Sequence, residues 1–304
     1  MSKHLALHAG DYALTLCPEI GGSIARFTWR GIDLMRPMSG AAIAAGNSEG
    51  AACFPLFPFS NRLRHGHFHF DGREIYLPRN TSGPHVEHGH GWQRPWDVIA
   101  ADSSSATLGL THDPAKDGSW PFAYRAEMRF ALTADGLAVT LGAENTGDRR
   151  MPFGCGLHPY FPRSKLSHLQ AGVQGFWEAD SEVMPTRHVA VPAALDLNAV
   201  LAMQDIVVDN VFTGFGGRAN ITWPEHQAAL SITADPAFAQ LVVYVPDLAT
   251  QAAEAGSPPY FCAEPVTNIT DAFNMAGDTG MIVLAPGETF SGTIRFNARE
   301  ERGS

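Results

Sequence analysis

Cysteine is scarce. Only Cys17, Cys53, Cys155 and Cys262 occur in 304 residues, widely scattered and with no Cys-x-x-Cys pair. This excludes a disulfide-stapled scaffold and a thiolate zinc module, and it reads as four reduced thiols. Long apolar runs are absent too. No stretch reaches the roughly 18 apolar residues of a membrane span, so no membrane partner is expected. The opening Met1-Ser2-Lys3-His4-Leu5 lacks the apolar centre of a signal peptide. A cytoplasmic location is therefore expected, and the sequons at Asn80, Asn220 and Asn268 carry no weight. Basic residues are outnumbered, 21 Lys and Arg against 31 Asp and Glu, for a formal net charge of −10. That balance argues against a nucleic-acid partner, which calls for a basic patch. There is no repeat of about 20–50 residues. The 30 glycines and 21 prolines are spread out and form no linker. Helical periodicity is sparse, with residues 195–203 and 247–255 the best short candidates.

What remains is β-rich. Hydrophobic residues make up 45% of the chain, ample for a sizeable core. Residues 5–16, 24–29, 68–77 and 124–145 alternate apolar and polar side chains, the period of half-buried strands. Later strands are expected over 240–245, 281–284 and 290–296. Two hairpin turns are expected, at Asp71-Gly72 and at Asp135-Gly136. The expected fold class is all-β: one large antiparallel domain, a sandwich or barrel, spanning residues 1–304.

Two segments carry the chemistry. Phe261-Cys262-Ala263-Glu264-Pro265-Val266 and Gly156-Leu157-His158-Pro159-Tyr160-Phe161 each set one proton-transfer residue before a proline. Proline holds its predecessor in extended backbone, so Glu264 and His158 are expected on strands with little freedom. A carboxylate and an imidazole held this way make a general base and a general acid. They are 106 positions apart (264 − 158), so only the folded core can join them. In a strand Cys262 shares a face with Glu264. Taken singly, each residue also has a plain structural role. Glu264 could end a strand, His158 could be a satisfied core histidine, Arg62 could form a structural salt bridge and Asp209 could serve a turn.

His65, His67, His69, His85, His88 and His90 fall within 26 residues and raise the question of a metal. Beyond His88 and His90 come Gly91-Trp92-Gln93-Arg94, with no acidic residue at a recognised spacing. No metal and no cofactor are expected.

Five blocks, in order, resemble the aldose 1-epimerases, the galactose mutarotase-like group. They are Pro58-Phe59-Ser60-Asn61-Arg62, His88-Gly89-His90-Gly91, Gly156-Leu157-His158-Pro159-Tyr160-Phe161, Val208-Asp209-Asn210-Val211-Phe212, and Glu264-Pro265 through Asp271-Ala272-Phe273-Asn274. The likeness runs from Gly21-Gly22-Ser23-Ile24 to Pro286-Gly287-Glu288. It implies a β-supersandwich of two large antiparallel sheets, with few short helices. It also implies cofactor-free interconversion of the α and β anomers of a free monosaccharide. By resemblance, Glu264 is the base at the anomeric hydroxyl and His158 the acid at the ring oxygen. Arg62, His88 and Asp209 match substrate-binding positions. His90 replaces what is often glycine in the family and stands either in the pocket or behind it. Pyranose faces are apolar, so an aromatic platform is expected among Trp92, Trp96, Trp120, Trp177, Trp223, Tyr160 and Phe212. Trp92 is the best placed, after the His88 block.

Three other functions stay open at this level. A hexose-6-phosphate mutarotase would need a basic rim, for which Arg64, Arg73, Arg79 and Arg94 are available. A non-catalytic sugar sensor would use the same scaffold. A glycoside hydrolase or lyase would use paired carboxylates such as Glu264 and Asp209. Specificity is expected in the loops 79–86, 113–121 and 251–259. His88-Gly89-His90-Gly91 and Val266-Thr267-Asn268-Ile269-Thr270 depart from the common family pattern and point to a divergent branch. The preferred sugar and the oligomeric state are not legible.

Overall fold

The computed structural model describes residues 4–249 and 258–301. Two large sheets dominate. One has eleven strands, with Leu5–Ala9, Tyr12–Cys17, Ser23–Trp29, Cys53–Leu56, Gly156–Pro162, Tyr260–Val266, Gln240–Val245, Val208–Thr213, Gly175–Ala179 and Pro185–Val189 side by side, and Ile32–Asp33 beside Ser23–Trp29. The other has nine, in the order Asp97–Ala101, Ser105–His112, Tyr124–Thr133, Gly136–Asn145, Thr289–Glu300, Ala228–Ala234, Arg218–Trp223, His168–Ala171 and Leu201–Ala202. Neighbouring strands in both are antiparallel, as in Tyr124–Thr133 against Gly136–Asn145 and Gly156–Pro162 against Tyr260–Val266.

The inner faces of the sheets meet in one core. Leu14, Phe27, Leu157, Phe161 and Val243 of the first pack with Met128, Phe130, Leu141, Leu230, Ile294 and Phe296 of the second. Phe27 meets Phe296 edge-on across the interface. The strand Tyr124–Thr133 shows the expected alternation, with every second residue buried. Gly156–Pro162 and Tyr260–Val266 behave differently and are buried on both faces. Phe161, Phe261 and Ala263 point into the sandwich core, whereas Tyr160, Cys262, Phe54, Trp92 and Val242 form a second cluster on the opposite face. A central strand covered on both sides needs a nearly continuous apolar run, and both of these segments have one.

The hairpin at Asp71-Gly72 forms as expected, with both residues at positive φ (47° and 71°), the signature of a tight hairpin turn. The second hairpin turns one residue earlier than expected, at Ala134-Asp135, because Gly136 already pairs with Thr133. Gly136 serves a close approach instead: a Cβ there would lie 2.3 Å from the carbonyl oxygen of Phe296. Residues 196–203 are not helical. They follow the short 3-10 helix Ala193–Leu195 and hold the strand Leu201–Ala202, which pairs with His168–Ala171. Asp196 and Asn198 compete with a helix, since Asp196 accepts the Asn198 N–H and the Asn198 side chain bonds the Val173 backbone. The other helical candidate, 247–255, lies largely outside the described residues. One helix not anticipated, Gly40–Ala45, is capped by Ser39 and closed by Gly46 in the left-handed region. Among the described residues no helix is long and apolar enough to cross a membrane.

Candidate functional site

The site sits on the outer face of the eleven-stranded sheet, where the doubly buried strands run side by side. Their register pairs Gly156 with Val266 and Tyr160 with Cys262, which sets His158 directly opposite Glu264. Pro159 and Pro265 lack N–H donors and stand beside the pair in the ladder. His158 Nε2 lies 3.3 Å from Glu264 Oε1, and the two side chains are 8% and 2% exposed. The imidazole is clasped between Phe54 and Tyr160, with ring centroids 4.6 and 4.7 Å away. His88 meets it edge-on at 5.2 Å. The second carboxylate oxygen, Glu264 Oε2, is buried with no hydrogen-bond partner.

Burial sets the charge of this pair. Glu264 is held well above the usual carboxylate range, first by burial and then by Asp209, with Arg62 opposing. His158 is held well below the usual imidazole range, first by burial and then by His88. Both shifts favour the neutral forms, a protonated carboxyl beside an uncharged imidazole.

A cavity of about 640 Å³ opens above the pair. Phe54, Asn61, Arg62, Glu87, His88, Trp92, Tyr160, Asp209 and Tyr260 are among its lining residues, with the Gly40–Ala45 helix at its rim. Arg62 and Glu87 face each other across a short strand pair, Arg62 Nε 3.5 Å from Glu87 Oε1. The other arm of the guanidinium donates to Asp209 Oδ2 at 3.1 Å. Arg62 thus holds a salt bridge and lines the cavity at once.

His88 stands at positive φ and its Nδ1 accepts the Asn61 backbone N–H at 3.1 Å. That bond leaves the ring proton on Nε2. Burial, and then Arg62, push the His88 pKa down to about 3, so the ring is neutral. The loop is fixed by Gly89, where a Cβ would sit 2.1 Å from the Phe57 carbonyl oxygen. Asn80 clamps it from outside through the backbone of Glu87 and Gly89.

A model of the aldose 1-epimerase family matches residues 3–297. This chain belongs to that family. It is 34% identical over 272 residues to the uncharacterized protein YphB of Escherichia coli K12, covering 88% of this chain and 90% of that one. The solved structure of an Escherichia coli K12 protein, described as a candidate aldose 1-epimerase, superposes with a TM-score of 0.89 at 30% identity, over 98% and 99% of the two chains. A galactose mutarotase-like protein from Clostridium acetobutylicum shares the fold, with a TM-score of 0.85 at 19% identity over 98% and 96%.

Within this member of the aldose 1-epimerase family, six of the seven residues singled out from sequence line one cavity: Glu264, His158, Arg62, His88, Asp209 and Trp92. His90 does not. It is 3% exposed behind the loop, with Nε2 2.9 Å from the Tyr124 hydroxyl and its ring 4.5 Å from that of His112. Gly89 turns the chain between the two histidines, so they face opposite ways. Trp92 lies stacked on Phe54 at 5.2 Å and donates its indole N–H to backbone carbonyls of Glu87 and Gly89. Trp96, Trp120, Trp223 and Phe212 are in the sandwich core.

Glu87, Asn61 and Arg36 escaped the sequence reading. Arg36 lies over Tyr160 and Tyr260 at 4.1 and 4.5 Å and donates to the Glu49 and Ala51 carbonyls. Glu87 stands one residue before His88 and was legible in principle as its neighbour. Arg36 carries no local signal. His158, Cys262 and Glu264 bring three potential ligand atoms within 4.8 Å of one another. Burial holds the Cys262 thiol well above its usual range, which makes a thiolate ligand costly there.

Proposed function

We propose that this protein is a mutarotase, opening and reclosing the hemiacetal ring of an uncharged aldose. The observation that carries the reading is the buried carboxyl–imidazole pair, 3.3 Å apart on the floor of a polar-rimmed cavity. The reacting pair is Glu264 carboxylate with His158 imidazolium. It has the same proton count as the neutral resting pair, so sugar binding needs only to move one proton across the gap. Glu264 takes the proton of the anomeric hydroxyl while the O1 electrons form the aldehyde. The C1–O5 bond breaks and His158 protonates the released ring oxygen. Rotation about C1–C2 and the reverse transfers close the ring on the other face. Each assisted transfer contributes typically about 10²–10⁴ in rate.

Arg62 and His88 Nε2–H supply donors for the sugar hydroxyls, and Asp209 and Glu87 supply acceptors. Phe54 and Trp92 line the cavity and give it an apolar wall for the C–H face of a pyranose. Among the described residues, Arg36 and Arg62 are the lysine or arginine side chains of the lining, against Glu49, Glu87, Asp209 and Glu264. Arg62 is taken up by two carboxylates, and Arg64, Arg73, Arg79 and Arg94 are outside the lining. An acidic surplus of this kind favours a free sugar over a sugar phosphate.

The test is catalysed anomer exchange, followed by polarimetry or NMR saturation transfer, across a panel of aldoses with glucose 6-phosphate included. Acceleration of neutral aldoses is expected. No acceleration on any member overturns the reading, and a preference for the phosphate overturns its uncharged-substrate part.

A further inference from the structure

The hairpin formed by His67–Phe70 and Arg73–Tyr76 turns Phe68 and Phe70 into the core, Phe68 stacking on Trp120 at 5.8 Å. Its other face is open to solvent and carries His67, His69, Glu74 and Tyr76. His69 pairs with Glu74 in register, and His67 lies two residues along the same strand face. His67 Nε2 is 3.0 Å from Glu74 Oε1, and His69 Nε2 is 3.9 Å from the same oxygen. All three donor atoms fall within 4.8 Å of one another.

We propose that His67, His69 and Glu74 form a binding site for a borderline divalent cation, zinc or copper(II), separate from the sugar cavity. Ligands about 2.0–2.1 Å from a tetrahedral zinc stand roughly 3.4 Å apart. The observed 3.0 and 3.9 Å bracket that spacing, so rotamer adjustments suffice to seat the ion. Two imidazoles and one carboxylate suit zinc and copper and are a poor set for calcium or magnesium, which take oxygen ligands. With three protein ligands at the surface, the remaining positions are open to water. The ligands are braced from outside. Tyr76 donates its hydroxyl to Glu74 Oε1 at 2.7 Å, and Asn274 Nδ2 donates to the His67 carbonyl at 2.8 Å.

A sequence reading misses this site because its carboxylate arrives from the partner strand. The neighbouring trio His65, His85 and Glu182 is equally close-set but differs in one respect. His85 Nδ1 accepts the His65 backbone N–H at 3.2 Å, so Nε2 keeps its proton and is closed to a metal. None of the three proposed ligands lines the sugar cavity.

The test is calorimetric titration of the tag-free full chain with zinc chloride, with copper(II) electron paramagnetic resonance on the same protein. One saturable site in the micromolar range and copper coupling to two nitrogens are expected. His69→Ala and Glu74→Gln should each weaken zinc by about tenfold or more, the span that even a ligand's outer partners command. Glu182→Gln should leave affinity unchanged. Circular dichroism should show all these variants folded, and His69→Gln provides a second, less disruptive form of the key change. Zinc binding as tight in His67→Ala/His69→Ala as in the parent, or no saturable binding below millimolar zinc, overturns the proposal.

Discussion

His158 and Glu264 stand opposite each other on adjacent antiparallel strands, Nε2 to Oε1 3.3 Å apart, each followed by a proline. The strand ladder, rather than a loop, sets this distance. Replacement of either partner should therefore remove chemistry without moving the backbone. Glu264→Gln and His158→Asn are each expected to lower kcat by about 10²–10⁴. The double variant should lose little more than the worse single one, because the two act as a unit. Stopped-flow polarimetry on the best aldose measures this, and a fully active Glu264→Gln protein would falsify the catalytic role.

The proton shared by the pair predicts a broad pH profile. The one-proton form is lost in acid when a second proton enters, and burial with His88 moves that step below the ordinary histidine range. It is lost in alkali when the shared proton leaves, and burial with Asp209 moves that step above the ordinary carboxylate range. The acid limb of kcat/KM is expected below about pH 6.5 and the alkaline limb well above about pH 4.3. An acid limb at or above about pH 6.5, or an alkaline limb at or below about pH 4.3, would contradict the assignment.

Asp209 offers a finer test, since it is the charge that most raises Glu264. Asp209→Asn should move the alkaline limb of the profile to lower pH and raise KM. Arg62→Lys should raise KM with the limbs nearly in place, because a point charge cannot span Asp209 and Glu87 as the guanidinium fork does. A variant of Asp209 with unchanged limbs would separate that residue from the pair.

One part of the acid sensitivity of the fold follows from His90, which lies outside the cavity. Burial, with smaller contributions from His112 and Arg94, lowers its pKa to about 3. The unfolded chain takes up a proton near pH 6.5 and the folded chain does not. Stability from this group is therefore whole above that pH and falls by about 1.4 kcal/mol per pH unit down to about pH 3. Urea midpoints of the parent and His90→Gln, measured between pH 7 and 4, should show a shallower acid decline in the variant. Equal slopes would sink the claim.

Gly89 is expected to tolerate no side chain. Its φ is 64° and a Cβ would meet the Phe57 carbonyl oxygen at 2.1 Å. Gly89→Ala should cost at least about 1–3 kcal/mol in backbone strain. It should also raise KM through displacement of His88, as read by thermal melts and kinetics together.

Much of this was legible in the chain itself. Alternation over 124–145, the tight turn at Asp71-Gly72 and the X-Pro steps at His158 and Glu264 are local consequences of side-chain period and proline stereochemistry. They determined strands, a hairpin and the extended setting of His158 and Glu264. The bond from the Asn198 N–H to Asp196 was also local, but the bonds of the Asn198 side chain to Val173 were not, and together they prevail over the helical pattern of the segment.

Only the tertiary structure decided what meets what. Strand order brought Gly156–Pro162 beside Tyr260–Val266, and their register set His158 against Glu264. The turn at Gly89 sent His88 into the cavity and His90 behind it, although one residue separates them. Arg36 joined the lining from a segment without a local mark, and Glu74 reached His67 and His69 across a hairpin. The reason is physical. Backbone angles and side-chain period are properties of neighbours in sequence. Burial, proton sharing and ligand spacing depend on distances across strands, and those are set when the sheets close on their core.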